Sequence, residues 1–362
     1  MITVGDTLIL GIETSCDDTA AAVVKNGHEV LSDILHTQEV VHAPYGGVVP
    51  EFASRVHIEV VDRVVREAIA QADTRVDQLH AVAVTQGPGL IGALLVGLSF
   101  GKALAYSCDI PLLGVHHLEG HLASARLGIT QIPFPHIALL VSGGHSNLYA
   151  VQSPEHYEQL GRTLDDAAGE AFDKGAKMLG LGYPGGPLID QLAQSGDARK
   201  APFPLPYPST QSFDFSFSGI KTALRYFLQT PQKHHPDTTS ADIAAGYQAS
   251  IVQVLVQKTI HAAVCYDISD IVVVGGVAAN SLLRKTMADR AATHQFRVHV
   301  PELRHCTDNG AMIAAAGWNA YTHREFASLD IEPFAQQPLR DRPETMISCG
   351  TVNELPTCVL TT

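Results

Sequence analysis

The chain has 362 residues, 46% of them hydrophobic and 17% charged. That excludes a disordered chain and exceeds the size at which one core keeps growing, so two lobes are expected. The formal net charge of −13 at pH 7 argues against non-specific nucleic-acid binding, because phosphate neutralisation needs Lys and Arg, though it leaves room for a local basic face.

Residues 8–12 are apolar, 13–19 small and polar, and 20–25 apolar again, which is the pattern of a hairpin. No basic region precedes the first apolar run, so it is not read as a signal peptide. Pro50 opens a helix to Asp73, with Phe52, Val56, Val60, Val64 and Ala68 at helical spacing. Arg55, Arg63 and Arg66 lie on it. A strand at 79–85 leads through Gln86-Gly87-Pro88-Gly89 into an apolar helix from 91 to about 107, and another strand covers 111–115. Residues 137–151 repeat the opening design around Ser142-Gly143-Gly144-His145-Ser146, which reads as an internal duplication with one polar hairpin loop per lobe. Lys174 and Lys177 share a further helix. Segments 201–218, rich in Pro, Phe and Ser, and 230–239 read as loop insertions. Then come a helix from about 242 to 266, a strand at 270–274, Gly275-Gly276 and a helix from about 279. The last helix runs from near Asp308 to near Tyr321, and the tail after Pro333 has weak periodicity. Strands alternating with helices, plus hairpins, indicate a mixed-sheet α/β protein of two similar lobes. The lobes are expected at 1–129 and 130–335, the latter with insertions near 200–240, and a peripheral tail at 336–362. Cys16, Cys108, Cys265, Cys306, Cys349 and Cys358 form no CxxC pair. A reducing, cytoplasmic setting is the expectation, and no stretch reads as a membrane span.

In His117-Leu118-Glu119-Gly120-His121 the two histidines stand at i and i+4, one helix face, so both imidazoles can reach one metal. The zinc-protease motif needs its glutamate directly after the first histidine. Here Leu118 stands there, and Glu119 points away from the shared face. Two histidines need a third ligand, and Asp308 is the best candidate, though at a helix start it also suits an N-cap. Two His and one carboxylate suit iron(II) or zinc with open positions. Ser142-Gly143-Gly144 follows a strand and lets backbone N–H groups approach an anion. Gly275-Gly276-Val277-Ala278-Ala279-Asn280 links a strand to a helix whose N-terminus can face a phosphate. Neither loop is a dinucleotide or Walker fingerprint, and a plain tight turn explains each taken alone. Asp17 and Asp18, at the first loop tip, are solvated acids or, facing a nucleotide, can hold a metal, orient water or act as a base.

Several segments together resemble the tRNA N6-adenosine threonylcarbamoyltransferase family, once mislabelled O-sialoglycoprotein endopeptidase. They are the stretch from Gly11 to Thr19, Gln86 to Leu90, His116 to His121, Leu140 to His145, Ala171 to Lys174, Tyr183 to Pro187, Phe215 to Lys221, Gly275 to Asn280, and Thr307 to Asn309. They run in family order from about residue 7 to 320. Asp18 departs from the pattern, since bacterial members usually carry Glu there. The resemblance implies a two-lobed actin- and Hsp70-like fold of duplicated RNase H-like lobes with a nucleotide cleft between them. It implies that His117, His121 and Asp308 hold one metal, iron(II) or else zinc. It implies nucleotide contacts from Leu140, Val141, Ser142, Gly143, Gly144, Asp173, Gly186, Asp190 and Asn280, and a need for Asp17.

The donor implied is threonylcarbamoyl-AMP, made by a separate synthase from threonine, bicarbonate and ATP. The acceptor implied is the N6 amine of the adenosine 3′ of the anticodon, in tRNAs reading codons that begin with A. Implied partners are a degenerate paralogous subunit, as a heterodimer, and a small ATPase subunit. The acidic net charge then predicts weak tRNA binding by the chain alone. Three rival readings compete. A small-molecule kinase of the same fold leaves the His117, His121 and Asp308 set without work. A non-catalytic module is either a chaperone-like ATPase or the degenerate partner, and the degenerate partner should lack the metal histidines that this chain has. A protease is opposed by the position of Glu119.

Overall fold

The computed structural model describes residues 6–128, 132–207, 212–230 and 237–339. The first sheet is built from β1 (Leu8–Glu13), β2 (Asp18–Lys25), β3 (Glu29–Thr37), β4 (Ala81–Gly87) and β5 (Leu112–His116), in the order β3-β2-β1-β4-β5. The second comprises β6 (His136–Val141), β7 (Ser146–Ser153), β8 (His156–Arg162), β9 (Asp270–Val274) and β10 (Arg297–His299), in the order β10-β9-β6-β7-β8. Read from the hairpin end, the two sheets are the same construction. A central strand pairs antiparallel with the next (Leu10 opposite Val23; Leu139 opposite Leu148) and parallel with a distant one (Leu10 opposite Val82; Leu139 opposite Val273). The duplication expected from the two polar hairpin loops is therefore present strand for strand. β3 and β8, which the hydrophobic pattern does not announce, are the matching edge strands of the two sheets.

The helices are α1 (Glu39–His42), α2 (Pro50–Gln71), α3 (Ile91–Cys108), α4 (His117–Ser124), α5 (Ala168–Met178), α6 (Gly185–Ala193), α7 (Ser218–Gln229), α8 (Ser240–Cys265), α9 (Ser281–Thr293) and α10 (Gly310–His323). Period-2 alternation sends Leu10, Ile12, Ala21 and Val23 to one face of the first sheet, where α2 supplies Val60, Val61, Val64 and Val65 and α3 supplies Leu98. Ile9, Ala22 and Val24 point to the other face, against the run Ala311–Ala316 of α10. Among the described residues α3 is the one helix long and apolar enough to cross a membrane, yet Leu94, Leu98 and Ala105 are buried in the core. The second sheet packs one face on α5, α7 and α8. Its other face, with Ala138, Leu140 and Tyr149, meets Leu118 and Leu122 of α4.

α4 and α10 thus lie between the two sheets and against each other. The close approach rests on absent side chains. A Cβ on Gly11 would stand 2.1 Å from the Gly310 carbonyl oxygen, so β1 and α10 touch backbone to backbone. The sequence reading put residues 310–335 in the second lobe. An apolar, alanine-rich helix fits either sheet, and here it covers the first.

Residues 327–337 stay with that first lobe. Ala327 donates to the Leu112 carbonyl, Phe334 to that of Gln86, and His116 Nε2 lies 3.0 Å from the Gln337 carbonyl. Leu339 is buried against the second sheet, while residues 335–338 before it are exposed. Residues 340–362, the rest of the expected peripheral tail, lie outside the described residues. Helix α7 stands between the two segments read as loop insertions. It is amphipathic, with Ile220 and Leu224 buried.

Candidate metal centre and nucleotide cleft

α4 begins directly after β5. The His116 side chain accepts from the Leu118 amide and closes the helix start. That start aims His117 and His121, one turn apart, toward the loop before α10. Asp308 meets them there. Its Oδ1 lies 3.2 Å from His121 Nε2 and 3.7 Å from His117 Nε2, and the three ligand atoms sit within 4.8 Å of one another. The competing reading of Asp308 as the N-cap of the last helix falls away. Asn309 caps α10, its Oδ1 accepting from the Met312 amide at 2.8 Å. The Asp308 carboxylate is thereby left to face the histidines.

The donor set fits a cation. His121 is fully buried; its Nδ1 has no partner among the described residues, and its Nε2 has only the Asp308 carboxylate, 3.2 Å away and out of hydrogen-bond line, a state that suits a cation taking the lone pair. His117 is held from behind. Its Nδ1 lies 3.1 Å from Glu13 Oε2 and 3.2 Å from Ser15 Oγ. A carboxylate only accepts, so Nδ1 carries the proton and Nε2 is left to ligate. Glu13 is itself fixed by the Thr85 hydroxyl at 2.7 Å and by the Ser15 amide. Glu13 was not singled out from sequence. The signal was a lone carboxylate ending a wholly apolar strand, a place where a charge persists only if paired. Glu119, by contrast, turns away from the triad toward Tyr157.

Burial alone would lower His117, but the Asp308 and Glu13 carboxylates raise it to about 9. Burial would raise Asp308 and Glu13, and the His117 charge holds both below the usual carboxylate range. In the metal-free chain the three groups are therefore an imidazolium between two carboxylates. The folded His117 value exceeds the unfolded value of 6.5, so its stabilisation is complete below pH 6.5 and is lost as pH rises through 9. Thermal melts of metal-free chain should show a midpoint about 3 °C lower at pH 9.5 than at pH 6.5. In metal-loaded chain, whose His117 is already unprotonated, this part of the decline should vanish. Equal pH dependence with and without metal would contradict the assignment.

The glycine loops border this centre. His145, next to Gly144, is pushed down to about 3, first by burial and then by the His117 and His121 charges, so the Ser142–Gly144 turn ends beside the triad. The Thr307 methyl lies 3.9 Å from where a Cβ of Gly276 would stand. Above Gly143, Gly144 and Gly186 nothing lies within 4 Å of an added Cβ, so a ligand can meet bare backbone there. Leu140 and Val141 are fully buried in β6, and Ser142 is largely buried. Of these, Leu140 belongs to the core between the sheets rather than to an open surface.

Asp173, on α5, accepts from the Gly185 amide at 2.7 Å, and burial raises its pKa. Asp190 accepts from Ser281 Oγ at 2.7 Å and Gln248 Nε2 at 2.9 Å. Asn280 caps α9 through the Leu283 amide. Asp190 and Asn280 are therefore anchored on the same helix start. Across the cleft, burial, Asp308 and Asp17 push Asp18 up to about 7. Burial and Asp17 push the Cys16 thiol far above its ordinary value, which removes it as a nucleophile. The α2 arginines are ordinary surface charge: Arg55 pairs with Glu51, Arg66 with Asp62, and Arg63 meets His36.

The sequence profile of the tRNA N6-adenosine threonylcarbamoyltransferase family, TsaD, matches residues 29–315. A tRNA N6-adenosine threonylcarbamoyltransferase of Syntrophotalea carbinolica is 50% identical over 333 residues, covering 92% of this chain and 97% of that protein. One from Geobacter sp. strain M21 is 52% identical over 313 residues, 86% and 90% of the two chains. Among solved structures, component A of the Acidaminococcus fermentans (R)-2-hydroxyglutaryl-CoA dehydratase superposes with a TM-score of 0.53 at 16% identity, covering 87% of this chain and 99% of that one. This likeness bears on the fold alone, and the fold is the two-lobed arrangement of the actin- and Hsp70-like proteins. With the duplicated sheets and the His-His-Asp centre already in view, half-identity over nine-tenths of the chain leaves one assignment: the chain belongs to the tRNA N6-adenosine threonylcarbamoyltransferase family and carries that transferase activity on tRNA.

Proposed function

We propose that the donor is threonylcarbamoyl-AMP and the acceptor the N6 amine of the adenosine 3′ of the anticodon, in tRNAs reading codons that begin with A. The observation that carries this reading is the bare backbone at Gly143, Gly144 and Gly186 beside a buried His-His-Asp set. Such a cleft suits an adenylate whose activated end lies next to a cation. His117, His121 and Asp308 would hold one metal, iron(II) or else zinc, which when bound supplies Lewis-acid stabilisation for charge building on the donor's oxygens. The Ser142–Gly144 turn, Asp173, Gly186, Asp190 and the Asn280 helix start bind and orient the AMP part, which sets the attack geometry. Asp17 takes the proton from the attacking amine. Because a mixed anhydride is already activated, transfer is direct, and the raised Cys16 thiol agrees with the absence of an enzyme-bound intermediate.

The lobes are drawn as 1–129 and 130–309, with 310–337 returning to the first, because α10 lies on the first sheet. The further partners are a degenerate paralogous subunit in a heterodimer, a small ATPase subunit and an upstream threonylcarbamoyl-AMP synthase. The setting is cytoplasmic, in keeping with Cys16, Cys108 and Cys306 being free thiols. The test combines chain, partner proteins, preformed adenylate and unmodified tRNA, and reads the nucleosides by mass spectrometry. Modified adenosine is expected from wild type. Asp17→Asn is expected to lower kcat with the adenylate KM unchanged, and full turnover by that variant would remove Asp17 as base. No product at all would remove the donor assignment.

A further inference from the structure

A second charged feature lies one helical turn from the nucleotide cleft and has no part in the chemistry above. Lys174, Lys177 and Met178 of α5 and Lys221, Thr222 and Arg225 of α7 line an open groove of about 410 Å³. Lys174 and Lys221 converge on one carboxylate, Asp166, at 2.5 and 2.7 Å, and Glu170 lies 3.9 Å from Lys174. Asp165, beside them, is taken up by Ser216, Ser218 and the Phe217 amide. Lys177 and Arg225 make no ion pair among the described residues, and both are exposed. The groove therefore holds an excess of positive charge on a chain whose net charge is −13.

Its position is informative. Asp173 and Lys177 stand at i and i+4 on α5, about 6 Å apart along the axis. Asp173 turns to Gly185 at the start of α6, while Lys177 opens toward α7. Lys177 also reaches the opposite lobe: its Nζ lies 3.3 Å from where a Cβ of Gly46 would stand. The neighbouring Tyr45 is 58% exposed and is propped by an edge contact with Phe52 at 5.4 Å. Flexible cations beside an exposed aromatic ring are how single-stranded nucleic acid is held, by its phosphates and by one stacked base. A small anion would use an enclosed site with fixed backbone donors, and this groove is open.

We propose that the α5–α7 groove binds backbone phosphates of the tRNA strand next to the acceptor adenosine, with Lys177 and Arg225 as the principal contacts. This rests on the transferase reading of the cleft and adds where its polynucleotide substrate lies. The groove explains how an acidic chain engages tRNA: a local patch at the mouth supplies what the net charge denies. Two phosphate contacts give modest affinity, as expected for a chain that binds tRNA weakly alone.

The test uses the full chain with its partner proteins and compares wild type with Lys177→Glu/Arg225→Glu. The KM for tRNA should rise at least about tenfold near 0.1 M salt, and its log–log salt slope should fall by roughly 1.4, two contacts at about 0.7 each. The kcat, the adenylate KM and the metal content should not move. Lys177→Gln/Arg225→Gln guards against misfolding and should shift the tRNA KM in the same direction by less. Arg55→Glu/Arg66→Glu on α2 should leave it unchanged. An unchanged tRNA KM in both groove variants would overturn the proposal. So would a rise in the adenylate KM instead, which would give the groove to the donor's phosphate. If wild type forms no product, the donor reading fails separately, and filter retention of labelled tRNA still decides: weaker retention by the charge-reversed chain supports the groove, and equal retention overturns it.

Discussion

Asp308→Ala should strip the chain of its metal and lower kcat by at least about 1,000-fold. The magnitude follows from the ligand count. Among the described residues His117 and His121 supply the only other ligand atoms in the cluster, and two imidazoles do not hold a divalent ion against water and chelators. The substitution is also a clean one. Asp308 does not cap α10, since Asn309 does, so the helix should stay in place. Its removal withdraws one of the two carboxylates that hold His117 charged, and the imidazole can then lose its proton rather than remain an uncompensated buried cation. Folding should therefore survive while function does not. Elemental analysis of purified wild type should give about one metal per chain, and the variant under a tenth of that. Circular dichroism and gel filtration should match between the two. If the variant kept both its metal and its turnover, the three-ligand centre would be wrong. If it lost its fold, Asp308 would be structural first.

How much of this could be read in the residues depends on the range of the interaction. The spacing of His117 and His121 is local, and local spacing fixes which helix face a side chain occupies. The two hairpins were legible for the same reason, since apolar runs joined by short polar loops have few alternatives. The edge strands β3 and β8 were not. Glu29–Thr37 has a single buried position and His156–Arg162 two, so neither shows the strict alternation that half-burial would write. The lobe that takes α10 was not legible either. Its face of Ala311, Ala314, Ala315 and Gly310 says only that something packs very close, and the partner, β1, is some 300 residues away in sequence. Asp308 reads from sequence as a ligand candidate and as a cap alike. Asp308 and Asn309 are both good caps, and only three-dimensional packing decides which is used. Lys174 and Lys177 read as plain surface charge until α7 brought Lys221 and Arg225 alongside.

Glu13 shows what the one-dimensional pattern hides and carries the second large effect. Glu13→Gln should weaken metal binding by up to about 100-fold, the usual loss when the group behind a ligating histidine is changed. The reason is a hydrogen-bond conflict that no orientation of the amide resolves. Glu13 now accepts from three donors: His117 Nδ1, the Thr85 hydroxyl and the Ser15 amide. A glutamine that turns its oxygen to His117 points its NH₂ at the Ser15 N–H, donor against donor. A glutamine that turns its oxygen to Ser15 points its NH₂ at His117, whose Nδ1 must then accept. The proton moves to Nε2, the atom that faces Asp308, and the lone pair is gone from where the metal needs it. Glu13→Ala leaves the Ser15 amide unpaired in a site with no exposed surface, at a further cost of about 1–3 kcal/mol. Chelator competition on purified chain measures the affinity, and turnover at rising metal separates holding from chemistry. If Glu13 acts through His117, saturating metal should return the Gln variant to within a few-fold of wild-type kcat. Unchanged metal affinity in Glu13→Gln would show that His117 needs no support from behind. A kcat that stayed low at full metal occupancy would instead place Glu13 in contact with the reacting groups.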